Sequence, residues 1–149
     1  NIVLDAQLAA LEFTKPGCTL KQAADRACEV ITQGLVELGI LQGDVAELIK
    51  EQAHKKYYMH GLGHWLGLDV HDVGDYKVGD QERPFEPGMV LTIEPGIYVS
   101  QSSLAPERYK GIGIRIEDNI LITKEGYENL TTDVPKTIQD IESLMTPNS

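Results

Sequence analysis

Three of the chain's four histidines lie within twelve residues, in the stretch HGLGHWLGLDVH from position 60 to position 71. Imidazole nitrogens bind divalent metals and transfer protons near neutral pH. His60 and His64 have the i, i+4 spacing of the HExxH zinc helix, but glycine occupies position 61, where that motif needs its catalytic glutamate. Gly61, Gly63 and Gly67 would each cost a helix about 1 kcal/mol relative to alanine. We therefore expect extended or irregular backbone, in which glycines permit close approach of chain to chain or chain to ligand.

Two glutamates lie where strand patterns predict at least partial burial. Glu94 stands between the β-rich run Met-Val-Leu-Thr-Ile and a Pro-Gly turn, and Glu117 follows a run with isoleucine at every second position from 112 to 116. An isolated carboxylate is too costly to bury, so each must be paired, neutralised or bound to a cation. Arg115 precedes Glu117 by two residues, which places both on the face opposite the isoleucines. A buried ion pair between them is one explanation.

A metal site is the alternative explanation for these residues. His64, Glu94 and Glu117 together offer one imidazole nitrogen and several carboxylate oxygens, which suit a divalent ion such as manganese, cobalt or zinc. His64 taken alone, beside Trp65 and Leu66, is equally explained as a hydrogen-bonded core histidine. Residue chemistry alone leaves both interpretations open.

The elements that must position these residues begin with helices. Apolar residues at helical spacing from Ile2 to Phe13 predict a first helix that ends at the Lys-Pro-Gly turn 15–17. Thr19 and Gln22 form a capping-box pattern, which predicts a second helix over 19–38 with Gly39 in the left-handed position after it. A similar arrangement at Asp44 predicts a short helix near 44–53.

Strands follow the helices along the chain. The run 89–93 predicts a strand that turns at 94–96 and resumes at 97–99, and the alternating run 112–117 predicts another. A hairpin is expected from 120–122 and 127–131 around Gly126, followed by a closing helix with apolar residues between Ile138 and Met145 and a frayed end from Thr146. Helices first and strands second predict an α+β domain with an antiparallel sheet.

Composition excludes several classes of function. The 149 residues suit one domain and carry 23 acidic against 13 basic side chains, a net charge of −10 that disfavours binding to nucleic acid. No stretch approaches the roughly 20 apolar residues of a membrane span. Cys18 and Cys28 lack CxxC spacing, so we expect reduced thiols and a cytoplasmic protein.

Three longer stretches resemble a known family. They are HGLGHWLGLDVHDVG at 60–74, EPGMVLTIEPGIY at 86–98 and GIGIRIEDNILIT at 111–123. In this order they resemble the C-terminal half of the catalytic domain of bacterial aminopeptidase P, the Xaa-Pro aminopeptidases of the metallopeptidase family that also contains prolidase and methionine aminopeptidase. The resemblance extends over nearly the whole chain. It implies a partial pita-bread fold, a curved antiparallel sheet flanked by helices, and hydrolysis of peptides with proline in the second position.

The resemblance also implies a set of metal ligands. His64 and Glu94 match ligands of one of two divalent cations, usually Mn²⁺ in this branch with Co²⁺ or Zn²⁺ possible, and Glu117 matches the glutamate that bridges both. The family uses two further ligands, both aspartates, from strands that precede the first helix seen in this chain. The aspartates that lie on or beside the predicted helices cannot replace them: Asp5, Asp25 and Asp44.

Other matched residues receive catalytic roles by the same resemblance. Glu94 is implied as the general base that accepts a proton from the metal-activated water. His60 and His71 resemble histidines that line the substrate pocket without binding metal, His71 to hydrogen-bond the reacting carbonyl region and His60 to close the pocket around proline. Arg115 resembles an arginine that orients the metal ligands through contacts with them and does not itself bind the metal.

The resemblance limits what this chain alone should do. Because the sequence enters a helical pattern directly at Asn1, we expect residues 1–149 to be the C-terminal portion of one catalytic domain, without the N-terminal domain or the first catalytic strands. We expect the longer protein to be a homo-oligomer, and the isolated chain to bind metal weakly and to be inactive. Two alternatives are prolidase, which cleaves Xaa-Pro dipeptides, and a non-catalytic pita-bread module that binds peptides.

Overall fold

The computed structural model describes residues 1–146, with helices in the first third of the chain and strands after them. The helices are α1 (Ile2–Leu11), α2 (Leu20–Glu37), α3 (Val45–Lys50) and α4 (Ile138–Met145). The strands are β1 (Lys77–Val78), β2 (Gln81–Glu82), β3 (Val90–Ile93), β4 (Gly96–Tyr98), β5 (Gly113–Arg115), β6 (Asp118–Ile122) and β7 (Tyr127–Asn129). This order confirms the predicted α+β class. The frayed end expected from Thr146 lies, beyond that residue, outside the described part.

The second helix begins and ends where the sequence predicts. The Thr19 hydroxyl accepts a hydrogen bond from the Gln22 backbone N–H (3.2 Å), and the Gln22 side chain accepts one from the Thr19 N–H (2.9 Å). This reciprocal pair is the capping box. Gly39 follows the helix with a φ of 71°, in the left-handed region that favours glycine.

The first and third helices are shorter than their patterns suggest. α1 ends at Leu11, after which Phe13 and Thr14 donate to carbonyls three residues back in tighter turns. α3 begins after Asp44, whose carboxylate accepts from two backbone N–H groups, but it ends at Lys50 instead of continuing to 53. The cause is Gln52, whose φ of 55° and ψ of 37° break the helix and lead into a single 3₁₀ turn, Ala53–Lys56.

All strand pairings are antiparallel, as predicted. β3 pairs with β6, with Ile93 opposite Asp118, and β6 forms the expected hairpin with β7. β4 pairs with β5, with Gly96 opposite Arg115. The β1–β2 pair forms a separate exposed hairpin.

The core lies between the helices and one face of the β3–β6 pair. Gln7 of α1 is fully buried, and its side-chain amide donates to the carbonyl of Ile93 at 3.3 Å. α1 packs against α2, whose buried side chains include Ala23, Ala27, Ile31 and Leu35. The opposite face of β3 is therefore left for the polar side chains of the site.

Two further expectations concern the cysteines and the closing helix. Cys18 and Cys28 are free thiols, as predicted, and burial raises the pKa of Cys28 to about 11, which makes it an unreactive thiol at neutral pH. The closing helix is present as α4, but its apolar residues are exposed, with Ile138 at 52% and Leu144 at 71%. In the described residues, no helix has the length and apolar character required to cross a membrane.

Candidate metal centre

Three neighbouring strand segments place the candidate ligands on one face of the sheet. Ile93 of β3 pairs with Asp118, and Gly96 of β4 pairs with Arg115. Both pairs belong to the same antiparallel register, and in this register Glu94 lies opposite Glu117. Directly opposite residues of an antiparallel pair project from the same face. Two like charges in that position repel one another, and a cation bound between them would relieve this repulsion.

The histidine reaches the same face from the other side of β3. Residues 62–66 run antiparallel to β3. The backbone carbonyl of His64 accepts a hydrogen bond from the Thr92 N–H at 2.9 Å, and the backbone carbonyl of Leu62 accepts one from the Glu94 N–H at 2.7 Å. His64 is thus opposite Thr92, and alternation along β3 puts Thr92 and Glu94 on the same face. The backbone at 60–71 is irregular, with a single bridge at Trp65, which confirms that this is not a zinc helix.

A glycine allows this segment to approach β3. A Cβ at Gly63 would lie 1.8 Å from the carbonyl oxygen of Thr92 and 2.7 Å from its carbonyl carbon, which are backbone atoms that cannot rotate away. Any larger residue would push the segment, and with it the neighbouring His64, away from the strand. The predicted role of glycine in close approach is confirmed at this position.

The three candidate ligands converge on one point. One ligand atom from each of His64, Glu94 and Glu117 lies within 4.8 Å of the other two, and no further group of this kind occurs in residues 1–146. Ligand atoms about 2.1 Å from one ion are separated by at most about 4.2 Å, so side-chain adjustments well under 1 Å would close the site. One nitrogen and two carboxylates fit a divalent cation of the borderline or hard class.

The hydrogen bonding of His64 prepares one nitrogen for a metal. Its Nδ1 lies 2.9 Å from the carbonyl oxygen of Trp65, so Nδ1 carries a proton that it donates to this carbonyl. In the neutral ring, Nε2 then has a free lone pair, and this atom faces Oε1 of Glu94 at 3.3 Å. A carbonyl bonded to the remote ring nitrogen is the usual support for a metal-binding histidine. The alternative to a metal between Nε2 and Glu94 Oε1 is a proton on Nε2, which would make the two side chains an imidazolium–carboxylate pair.

Glu94 is the buried carboxylate of the cluster, with 7% of its surface exposed. Its Oε1 accepts a hydrogen bond from the Thr92 hydroxyl at 2.9 Å, and its Oε2 pairs with Nη1 of Arg115 at 3.0 Å. A buried ion pair between Arg115 and Glu117, one of the two explanations that the sequence left open, is wrong, although both residues share the predicted face. Glu94 lies opposite Glu117 and is the more buried of the two, so the arginine compensates the carboxylate that is less accessible to water.

The expected burial of Glu117 is also wrong, since this residue is exposed. Two of the three isoleucines that precede it are exposed as well, Ile112 at 44% and Ile114 at 48%, whereas Ile116 is half-buried. Period-two alternation correctly predicts which side chains share a face. It does not predict whether another element covers that face.

His60 joins the cluster through a tyrosine that the sequence argument overlooked. Arg115 donates from Nε to the Tyr98 hydroxyl oxygen at 2.7 Å, and that hydroxyl lies 3.0 Å from Nε2 of His60. His60 Nδ1 is 2.8 Å from the Gly61 carbonyl, so the consistent assignment has Tyr98 donating to His60 and His60 donating to Gly61. The hydrogen bond to Tyr98, aided by nearby carboxylates, raises the pKa of Arg115 above its ordinary value.

Tyr98 and Thr92 could have been found from the sequence. Both lie an even number of residues from Glu94, so strand alternation puts them on the face of the candidate ligands. Tyr58 is different, because its buried ring meets the edge of His60 at 5.0 Å and its hydroxyl has no partner in the described residues. No periodicity indicated that contact.

His71 lies on an exposed loop beside the cluster. Its ring centre is 4.1 Å from that of His64, in an edge-on arrangement. Asp72 shapes the loop, because its carboxylate accepts from the N–H groups of Leu68 and Val73. The structure therefore brings all six predicted site residues into one region: His60, His64, His71, Glu94, Arg115 and Glu117. The predicted helical aspartates stay away from it, with Asp5 on α1, Asp25 on α2 and Asp44 capping α3.

Comparison with known proteins gives consistent matches. Residues 1–124 match the model of metallopeptidase family M24. The chain is 59% identical to the Xaa-Pro aminopeptidase of Haemophilus influenzae over 97% of its own length and 34% of that protein. It therefore spans about a third of the relatives that it matches.

Solved structures agree with the sequence matches. The aminopeptidase PepP of Pseudomonas aeruginosa superposes with a TM-score of 0.94 at 50% identity, covering 97% of this chain and 33% of that one. A zinc-substituted Escherichia coli aminopeptidase P in complex with product gives a TM-score of 0.93 at 52% identity, covering 97% of this chain and 32% of that one. These superpositions confirm the resemblance and the partial pita-bread fold that it implied.

Proposed function

This chain belongs to metallopeptidase family M24, and from that premise we propose that the whole protein is a metallo-aminopeptidase that removes the residue preceding a proline in the second position of a peptide. The observation that carries the proposal is the convergence of His64, Glu94 and Glu117 within 4.8 Å. The substrate class is supported by the similarity to Xaa-Pro aminopeptidases from several bacteria.

The proposed cofactor is a pair of divalent cations. His64 Nε2 and the carboxylates of Glu94 and Glu117 would hold them, together with two aspartates that we expect from residues outside this chain. We expect Mn²⁺ as the physiological ion, and the zinc-substituted relative supports a site that accepts more than one metal. When bound, such cations supply Lewis-acid chemistry, in which water is acidified and the scissile carbonyl is polarised.

Glu94 is the proposed general base. Its burial keeps bulk water from its carboxylate, and the Thr92 hydroxyl and Arg115 hold its two oxygens in fixed directions. A carboxylate fixed in this way can accept the proton of an attacking water at a defined point, which is the geometric requirement for general-base catalysis.

The two other histidines are proposed to act on the substrate. His71 is exposed and next to His64, so its imidazole can hydrogen-bond a carbonyl whose negative charge grows during attack. His60 is held by Tyr98 and packed against Tyr58, and we propose that it closes the pocket around the proline ring. Arg115 acts through Glu94 and Tyr98 and does not itself contact the substrate.

The chain of 149 residues by itself is proposed to bind metal weakly and to lack peptidase activity. It brings together three of the five expected ligands. Arg115 pairs with Glu94, no ion pair within residues 1–146 reaches Glu117, and the chain carries a net charge of −10.

We also propose that the whole protein is a cytoplasmic homo-oligomer. The free thiols Cys18 and Cys28 are compatible with a reducing compartment. The oligomeric state rests only on the family resemblance, and sedimentation of the whole protein would measure it.

The proposed activity is tested with the whole protein, Mn²⁺ and a tripeptide of the form Xaa-Pro-Xaa. We expect release of the first residue, and much slower release from a matched tripeptide with alanine in place of proline. An Xaa-Pro dipeptide in the same assay distinguishes prolidase, which would prefer it. The 149-residue chain serves as the incomplete control. Failure to cleave any of these peptides with Mn²⁺, Co²⁺ or Zn²⁺ would contradict the proposal.

A further inference from the structure

An ion pair between a buried aspartate and a half-buried lysine lies next to one candidate ligand. Asp118 follows Glu117 in the chain and is only 2% exposed. Its Oδ1 is 2.9 Å from the ammonium nitrogen of Lys136 and accepts a hydrogen bond from the Thr131 hydroxyl at 2.6 Å. We call these three residues, Asp118, Thr131 and Lys136, the clasp.

The clasp is well satisfied. Lys136 also donates to the backbone carbonyls of Thr131 at 3.0 Å and Val134 at 2.8 Å, so its three ammonium protons all have acceptors. The Thr131 hydroxyl accepts from the N–H of Asn119 at 3.0 Å. A buried charge pair with this many hydrogen bonds holds a specific geometry, because any displacement leaves a charge without a partner.

The clasp and the metal site lie on opposite faces of the same strand. Asp118 is opposite Ile93 on the core face, whereas Glu117 is opposite Glu94 on the face of the site. The peptide bond between Glu117 and Asp118 connects the two. Fixing the Asp118 side chain below the sheet therefore fixes the backbone direction from which Glu117 projects above it.

Glu117 depends on this backbone more than the other ligands do. His64 is anchored by the Trp65 carbonyl, and Glu94 by Thr92 and Arg115. No hydrogen bond or ion pair within residues 1–146 reaches the exposed carboxylate of Glu117. Its position relative to the other two ligands is thus set by the chain on either side of it.

We infer that the clasp of Asp118, Thr131 and Lys136 positions the Glu117 carboxylate for metal binding. This inference rests on the proposed metal site. The clasp residues do not touch the metal, so they are positioning residues. Substitution of the clasp residues should lower the metal affinity. Substitution of a nearby residue that holds only the C-terminal segment should lower it less.

The test is Mn²⁺ titration of the whole protein by calorimetry, with thermal unfolding measured in parallel. The main variant combines Asp118→Asn with Lys136→Met, which removes both charges and leaves no buried ion unpaired. We expect its Mn²⁺ affinity to fall about tenfold while it remains folded, and the visible absorption of its Co²⁺ form to change. The separate variant Lys136→Arg keeps both charges of the ion pair, so its Mn²⁺ affinity should stay within about threefold of that of the unaltered protein.

Thr137→Ala is the matched control. The Thr137 hydroxyl caps α4 by accepting from the Asp140 N–H, so its loss loosens the same C-terminal segment without touching Asp118. Equal loss of Mn²⁺ affinity in this control, or unchanged affinity in a folded double variant, would overturn the inference. If the double variant does not fold, Thr131→Val decides, with a loss of threefold or more supporting the clasp and no loss overturning it. Absence of Mn²⁺ binding by the unaltered protein would instead overturn the proposed metal site, and the clasp with it.

Discussion

Arg115 at the end of β5 pairs with Glu94 between β3 and β4, with 3.0 Å between Nη1 and Oε2. The Nε of Arg115 donates a hydrogen bond to the Tyr98 hydroxyl at 2.7 Å. One guanidinium thus fixes the buried candidate base and, through the tyrosine, the position of His60. The strand alternation indicates that Arg115 shares a face with two glutamates. The choice between them follows from burial, because Glu94 is desolvated and Glu117 is not.

Glu94→Gln in the whole protein should abolish most of the peptidase activity. The amide keeps the shape of the side chain but cannot accept the proton, and loss of a positioned general base costs about 10² to 10⁴ in rate. The measurement is kcat on an Xaa-Pro peptide together with bound metal per chain. Glu125→Gln, in the exposed turn between β6 and β7, is the control and should retain full activity. Near-normal turnover in Glu94→Gln with metal retained would remove the assigned role.

Gly63→Ala should destabilise the protein and weaken metal binding. The added Cβ would collide with the backbone of Thr92, and overpacking of this kind costs about 1–3 kcal/mol. Gly61→Ala is a close control, because its Cβ would meet only the Gly63 carbonyl oxygen at 3.9 Å, an ordinary contact. Urea unfolding of both variants measures the difference. Equal stability of the two would show that residues 62–66 can move away from β3 without cost.

Tyr98→Phe should disturb His60 while leaving the metal site occupied. The change removes the hydroxyl that links Arg115 to His60, at a cost of about 1 kcal/mol in stability, but leaves the Arg115–Glu94 pair in place. We expect kcat/KM on proline peptides to fall by about tenfold with unchanged metal content. Tyr58→Phe removes a hydroxyl that has no partner among residues 1–146, so it should be close to neutral. Loss of metal in Tyr98→Phe would mean that the tyrosine supports the ligands directly.

The pH dependence of stability should include a contribution from His54. Burial lowers the pKa of this histidine below its ordinary 6.5, with Lys55 acting in the same direction. As the pH falls below about 6.5, His54 becomes protonated in the unfolded chain but stays neutral in the native protein. The free energy of unfolding therefore decreases until the pH reaches the lowered pKa of the native histidine. His54→Gln should reduce the loss of stability between pH 7.5 and pH 5.5, as measured by urea unfolding at both values. An unchanged difference would assign the loss to other groups.

The helices and strand pairs were largely predictable because their signals are local. The capping box at Thr19 and the alternation from Ile112 to Glu117 each depend on residues a few positions apart. The early end of α3 was not, since nothing in its apolar pattern indicates the left-handed backbone of Gln52.

The site was predictable in its members but not in its contacts. The family resemblance named the candidate ligands His64, Glu94 and Glu117, and the alternation from Ile112 to Glu117 predicted that Arg115 and Glu117 share a face. The partner of Arg115 and the exposure of Glu117 depend on which surfaces other elements cover, and a period-two pattern carries no information about this. The clasp escaped notice for the same reason, because Lys136 is distant in sequence from Asp118.

The convergence of His64, Glu94 and Glu117 on one divalent ion is tested most directly by anomalous diffraction from crystals of the whole protein grown with Mn²⁺. The account predicts a manganese peak about 2.0–2.3 Å from His64 Nε2 and from a carboxylate oxygen of Glu94, with Glu117 also bound. A structure at saturating Mn²⁺ in which the three side chains are ordered, no manganese lies between them and His64 Nε2 donates a proton to Glu94 would contradict it.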